Sequence, residues 1–313
     1  MTTVDAPTVR PAAPSSQGSQ GSQSSPAAPG EPRRGRSGPA VLMVLGSCTS
    51  LQIGAALATR LFPVAGALGA TFLRLSLAAV AMLVATRPAV RRWDRRQWRA
   101  VVLFGLCLAG MNGFFYAAIS RIPLGIAVTI EFLGPLTLSA LLSRRARDFG
   151  WVLLAAAGVA LLGLTGNDGR ATGLDPLGIV FVLIAAVFWA LYIVTSARAG
   201  AAVPGRGGLA VAIAVAALVI LPVGALGAAH AVARPHLALI ALGTGLTASV
   251  IPYSLELSAL RRLPRAVFGI LLSLEPAVAT LAGWLLLSQH VGPVAVVAIA
   301  VVVAASVGST AQR

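Results

Sequence analysis

Apolar residues in this chain gather into long blocks of Ala, Leu and Val instead of alternating with polar ones. Ten such blocks can be drawn, at approximately 40–59, 64–86, 99–120, 122–143, 149–166, 175–196, 208–229, 236–257, 265–287 and 291–309. Blocks of roughly 18 to 23 residues, at about 1.5 Å per residue, are long enough to cross a hydrocarbon core about 30 Å thick. In such a core every backbone N–H and C=O must be satisfied within a helix or a closed barrel. The blocks lack the ten-residue alternation of a barrel strand, so they predict ten transmembrane helices in an all-α polytopic membrane protein.

Residues 1–38 break the pattern. The stretch "SSQGSQGSQSSPAAPGEPRRGRSG" holds few large apolar groups and many Ser, Gln, Gly and Pro, which predicts a disordered tail. No apolar core follows Met1, so the tail does not read as a cleaved signal peptide. Composition agrees with the blocks: 57% of the 313 residues are hydrophobic and 11% charged, with a mean hydropathy of +0.87. Soluble domains carry about 25% charged residues. Cys48 and Cys107 fall inside predicted helices and read as small core groups.

A net charge of +15 invites a nucleic-acid reading until its distribution is drawn, and all 24 basic residues are Arg. With the tail placed inside, 19 of them fall on the cytoplasmic side, in the tail, "RPAVRRWDRRQWR", "SRRAR", the 198–206 loop, "RRLPR" and Arg313. The other side holds only Arg60, Arg121, Arg170 and Arg234, and Arg74 lies within a span. Such a bias is the positive-inside signature of an even number of spans with both termini cytoplasmic. The charge therefore sets topology in a cytoplasmic membrane, and nucleic-acid binding is rejected.

Shifting the sequence by 141 positions lays "SRIPLGIAVTIEFLGPL", from Ser120, over "RRLPRAVFGILLSLEPA", from Arg261. Pro123 meets Pro264, Pro135 meets Pro276, and Arg121 meets Arg262. The match joins the fourth and ninth spans, which divides the chain into five-helix repeats at 39–167 and 168–310. Five is odd, so the second repeat must be inverted relative to the first. Inverted repeats with a binding site at their interface are the architecture of secondary transporters.

Chemistry concentrates on the few charges inside the spans. Glu131 falls near mid-membrane in the fourth span, where a charge costs on the order of 2.5 to 3.5 kcal/mol. Its counterpart is Glu275 in the ninth span. Glu131 precedes its repeat proline by four positions and Glu275 by one, a difference of one helical turn, so the acids share a face of matching helices. Each proline lacks an N–H and should open a carbonyl beside its acid. Arg74, halfway along the second span, either pairs with an intramembrane Glu or receives a substrate carboxylate. Glu256, close to Arg261 and Arg262, reads as half of an interfacial ion pair.

Protons narrow the choice further. The chain has no Lys, Arg does not deprotonate, and His230, His236 and His290 lie in or beside loops, so only Glu can titrate at depth. Burial disfavours a charged carboxyl group, which lets an acid in a dry cavity carry a proton. Gln52, Asn112, Tyr116, Trp189, Tyr192 and Tyr253 add polar or aromatic groups to the spans and are candidates to line the cavity. Spans five and ten are almost bare of polar groups and read as scaffold or as the surface of a homodimer.

The stretches "LQIGAALATRLFP", "FLRLSLA", "RIPLGIAVTIEFLGPL", "LDPLGI", "FWALYI", "IPYSLELSALRRLP" and "FGILLSLEPAVATLAGWLLL" resemble the EamA-type members of the drug/metabolite transporter superfamily, in its threonine and homoserine exporter branch. The resemblance runs from Pro39 onward. It implies ten helices in two inverted halves, a central cavity lined by helices one to four and six to nine, and proton-linked export of small amino acids. It also sets Glu131, Glu275 and Arg74 at the branch's membrane-embedded charges. One departure comes after the ninth span, where the family commonly has a Gly-Glu-Arg turn and this chain has Ser288, Gln289 and His290.

Two charged poles would suit a zwitterion, and an acid in an aromatic cavity would suit a drug or other organic cation. An enzyme is not expected: the chain has no HExxH, no GxSxG, no Walker Gly-Lys pair and no embedded His, and nothing calls for a metal or cofactor. A sensor or purely structural membrane protein would show no flux in reconstituted vesicles.

Overall fold

The computed structural model describes residues 37–143, 146–164, 174–260, 262–263 and 265–311, so residues 1–36 of the expected tail lie outside the described residues and its last two, Ser37 and Gly38, begin the first helix. Among these residues all regular structure is helical. The helices are α1 (Ser37–Thr59), α2 (Phe62–Thr86), α3 (Arg95–Ile119), α4 (Leu124–Glu131), α5 (Leu133–Ser143), α6 (Ala146–Leu164) and α7 (Pro176–Ala202). They continue with α8 (Gly207–Val232), α9 (Pro235–Gly245), α10 (Ile251–Leu260), α11 (Arg265–Leu272), α12 (Glu275–Leu287) and α13 (Pro293–Ala311).

Each of the ten expected spans coincides with one helix or with two in series. The fourth is α4 continued by α5, the eighth is α9 and α10 joined by a π turn at Leu246–Val250, and the ninth is α11 continued by α12. Nine helical stretches among the described residues are long and apolar enough to cross a membrane. The remaining expected span, the fifth, is the nineteen-residue α6, which carries Arg147 and Asp148 in its first turn.

Large apolar side chains cover the outside of this bundle. Leu226 is 78% exposed, Leu142 71%, and Leu153 and Leu239 70% each. A water-facing surface does not carry so much contiguous apolar area, whereas lipid tails solvate it at no cost. With its apolar helices, this makes the chain a multi-pass membrane protein.

Lipid gives no hydrophobic drive for helices to associate, so close approach of small residues has to hold them together. The contact between α2 and α8 shows the device from both sides: Gly69 meets the backbone of Gly227 and Ala228, Gly227 meets the backbone of Ala65, and Gly224 meets Leu68 and Phe72. Elsewhere Gly134 of α5 meets the backbone of Ala186 on α7, and Gly54 of α1 meets the backbone of Ala248 in the π turn. The helix pairs α1 with α10, α3 with α7, α4 with α12 and α6 with α13 complete the bundle.

Caps are supplied locally. Asp94 accepts from the Gln97 N–H at 2.7 Å while the Gln97 side chain accepts from the Asp94 N–H at 3.0 Å, a reciprocal box that starts α3. Asp175 starts α7 by accepting from the Leu177 N–H, with Pro176 at the first helical position. Its other oxygen accepts from Arg121 at 2.9 Å, and this hydrogen bond holds the Asp175 carboxyl below its ordinary value. The α12 terminus is less well served: Ser288 adopts φ 53°, ψ 30°, a left-handed conformation that suits glycine.

These contacts set the response to small substitutions. Gly134→Ala forces a methyl group into the Ala186 backbone and should cost about 1 to 3 kcal/mol. Gly150→Ala on α6 meets open space and should be neutral or slightly stabilising, with both read as thermal unfolding midpoints in one detergent. Ser288→Gly should raise the midpoint, by relief of about 1 to 2 kcal/mol of left-handed backbone strain.

Candidate functional site

The site begins with two missing hydrogen bonds. Pro135 and Pro276 have no N–H to offer the carbonyls four residues back, on Glu131 and Leu272. α4 ends at Glu131 and α11 ends at Leu272, positions that correspond under the 141-residue shift. At the first break the Phe132 N–H reaches the Val128 carbonyl at 3.1 Å and the Leu136 N–H reaches the Phe132 carbonyl at 3.3 Å. At the second the Ser273 N–H reaches Gly269 at 3.1 Å and the Leu274 N–H reaches Leu271 at 3.2 Å. Each interruption falls four residues before its proline.

The two acids stand on either side of these breaks. Glu131 is the last residue of α4, just before the first break, and Glu275 is the first residue of α12, just after the second.

Both acids line one cavity of about 430 Å³, together with Arg74, Gln52, Asn112, Trp189 and Tyr192. Burial is nearly complete: Glu131, Glu275 and Arg74 are each 7% exposed. The Arg74 guanidinium donates to the Tyr116 hydroxyl at 3.1 Å and to the Ser249 hydroxyl at 3.4 Å, and lies 5.4 Å from the Tyr116 ring centroid. Charges on Glu275 and Arg74 both act on Glu131. Gln52 donates from Nε2 to Glu275 Oε1 at 3.1 Å. The Trp189 ring stands edge-on to Phe132, which occupies the first break, at 5.1 Å between centroids.

Several expectations need correcting. Tyr116 is fully buried and does not line the cavity; it lies behind Arg74 and holds it, because a tyrosine hydroxyl is the partner that reaches a guanidinium across one helix contact. Asn112 lines the cavity as expected, with one of its two Nδ2 hydrogens given to the Leu108 carbonyl of its own helix at 2.8 Å. The Tyr253 side chain lies outside the described residues. Span seven contributes no lining among the described residues, whereas span ten contributes Ser306, Ser309 and Thr310 from the end of α13. That end is thus part of the cavity wall rather than scaffold.

Glu256 is the largest revision. Its partner is the buried Ser47 of α1, whose hydroxyl donates to Oε1 at 2.7 Å, and Glu256 lines the same cavity as a third acid. Of the two expected partners, Arg261 lies outside the described residues, and Arg262 makes no ion pair with Glu256 among them. Ala248, Pro252 and Glu256, spaced at four residues, all line the cavity across and beyond the π turn. A π turn adds one residue to the helix and rotates the downstream turns by about 100°. No feature of composition marks that insertion.

The departure at the ninth span's end also has a structural account. Gln289 Oε1 accepts from the Leu124 N–H at 3.0 Å and so caps α4, the helix that ends at Glu131. An amide oxygen serves this purpose where the family commonly has a carboxylate. Ser288 stands at the left-handed position where the family commonly has Gly.

An all-helical, multi-pass membrane protein with ionisable groups facing a central cavity at paired helix breaks has the build of a carrier. The pattern of the EamA-like transporter family matches residues 176–311, from the start of α7 to the end of α13. The threonine/homoserine exporter RhtA of Escherichia coli strain K12 is 39% identical over 270 residues, 86% of this chain and 90% of that protein. The exporter of the same name from Salmonella typhimurium strain LT2 matches equally, at 39% over 270 residues. A protein of known crystal structure superposes with a TM-score of 0.57 at 22% identity, over 87% of this chain and 95% of its own, and so shares the fold. The chain belongs to the EamA-like transporter family.

The cap on α4 gives a test. Gln289→Ala leaves the Leu124 N–H without its acceptor and should lower stability by about 0.5 to 2 kcal/mol. Gln289→Glu keeps an acceptor and should hold or raise the thermal midpoint.

Proposed function

We propose that this chain is a carrier, not an enzyme, that exports small amino acids resembling threonine and homoserine across the cytoplasmic membrane in exchange for protons. The observation that carries the reading is a pair of opposite poles on one cavity: Arg74, held by Tyr116, and the acids Glu131 and Glu275. A zwitterion needs a cation for its carboxylate and an anion for its ammonium group, and a cavity of about 430 Å³ falls in the range used for small ligands. The named exporters at 39% identity support the same substrate class.

In this reading the two five-helix halves, residues 39–167 and 168–310, are inverted copies, and the site lies where they meet. The helix breaks at Glu131 and Leu272, separated by the repeat distance of 141 residues, support the inversion. The bias of 19 arginines to 4 supports cytoplasmic termini. Glu131 and Glu275 are the proton-exchanging groups, and Arg74 receives the substrate carboxylate.

Export of organic cations is a second reading, favoured by three acids and the rings of Trp189, Tyr192 and Phe132 on the cavity wall. Arg74 separates the two. Counterflow in proteoliposomes should show uptake of labelled threonine or homoserine that an imposed pH gradient accelerates. Arg74→Ala should lower amino-acid flux by about 10- to 100-fold, the value of a charged hydrogen bond. Retained cation flux with no amino-acid flux in the wild type would favour the second reading. Proton-driven flux surviving in both Glu131→Gln and Glu275→Gln would overturn proton exchange at these acids.

A further inference from the structure

We propose that Glu275 is the acid that carries the exchanged proton, and that Gln52 holds it there by pairing both ends of its amide with the protonated carboxyl group. The proposal deepens the proton-exchange reading above and rests on it for its place in transport.

Gln52 is 2% exposed, and its two polar atoms are treated unequally. Nε2 donates to Glu275 Oε1 at 3.1 Å, while Oε1 of Gln52 is buried without a hydrogen-bond partner among the described residues. Leaving a buried acceptor unsatisfied is costly, and an amide beside a carboxylate cannot escape the cost by turning over. Turning would set the amide oxygen against the carboxylate oxygens and strand the NH₂ group instead. A proton on Glu275 removes the defect. A primary amide and a carboxylic acid close a ring of two hydrogen bonds, amide N–H to acid carbonyl and acid O–H to amide oxygen. One of the two hydrogen bonds is already in place, and the other needs a hydrogen on Glu275 directed at the amide oxygen.

The surroundings are consistent with an exchange of cations at this carboxyl group. Among the described residues, the charged and titratable groups around it are Glu131 on α4, Glu256 on α10, Arg74 on α2 and the thiol of Cys48 on α1. α13 adds the Ser306 hydroxyl, which is 2.7 Å from that of Ser273. With three acids and one arginine on the wall, a proton or a substrate ammonium group can each lower the negative excess, and they compete for one carboxylate. When the ammonium group arrives, the Glu275 O–H bond breaks, its proton passes to cavity water, and the carboxylate accepts from the ammonium N–H and from Gln52 Nε2. The return of a proton from water reverses each step and expels the ammonium group. Gln52 is therefore a positioning residue whose amide makes the protonated state complete.

Difference infrared spectroscopy on the full chain in lipid vesicles tests this. Acidification should bring up a carboxyl C=O band that is absent in Glu275→Gln. In Gln52→Met and Gln52→Ala the band should move to higher frequency, since no amide N–H donates to that carbonyl oxygen. A band that persists in Glu275→Gln overturns the assignment to Glu275. A band unmoved in the Gln52 variants overturns the pairing. Should those variants fail to fold, isotopic labelling of the glutamine carbonyl in the wild type gives the same answer. A labelled amide band should shift in step with the carboxyl band, and its failure to shift overturns the pairing. Addition of L-threonine should bleach the wild-type carboxyl band. A band that depends on Gln52 yet ignores threonine and homoserine supports the pairing and overturns the amino-acid reading instead.

Discussion

A carboxyl group enclosed by helices gives up its water, at several kcal/mol per ion, and the rest of this cavity is arranged around that penalty. α1 supplies the donors. Ser47 serves Glu256 and Gln52 serves Glu275, five residues and about 7.5 Å apart along one helix. From α2, Arg74 acts on Glu131 and is itself steadied by Tyr116 and Ser249. Donors at fixed heights on α1 require it to lie close against the helices that bear the acids. The contact of Gly54 with the Ala248 backbone provides that closeness.

The helix breaks answer a second demand. An unbroken helix keeps its carbonyls for itself, so a cavity between unbroken helices is lined by side chains alone. Proline at 135 and at 276 has no N–H for the carbonyl four residues back, and the acids stand next to the two interruptions. Ser273 lies in the second break and meets Ser306, and Ser139 within α5 meets Ser309, so hydroxyls of α13 reach both interrupted segments.

How much of this is legible in the sequence depends on how many residues carry each signal. A span is written in about twenty positions at once, and every expected span has its helix. Glu131, Glu275 and Arg74 are legible because a charge is rare in such blocks and must be answered by something. Ser306, Ser309 and Thr310 are not, since a hydroxyl in an apolar helix commonly bonds its own backbone, as Thr310 does to the Ser306 carbonyl. Tyr116 stands out as a polar group at depth, but pattern cannot tell a residue on the wall from one supporting it. Gln289 stands out as a departure from a family habit, and only the position of α4 reveals its use.

The π turn at Leu246–Val250 carries a lesson about what kind of change this protein can absorb. Whether Glu256 faces the cavity or the hydrocarbon depends on a count of residues upstream of it, not on their chemistry. Excision of a single position from that turn would restore regular winding and swing the acid away by about a quarter of a revolution. Replacement at Ala248 or Ser249 would touch one packing contact or one hydrogen bond, while a one-codon deletion would disconnect a whole wall of the cavity.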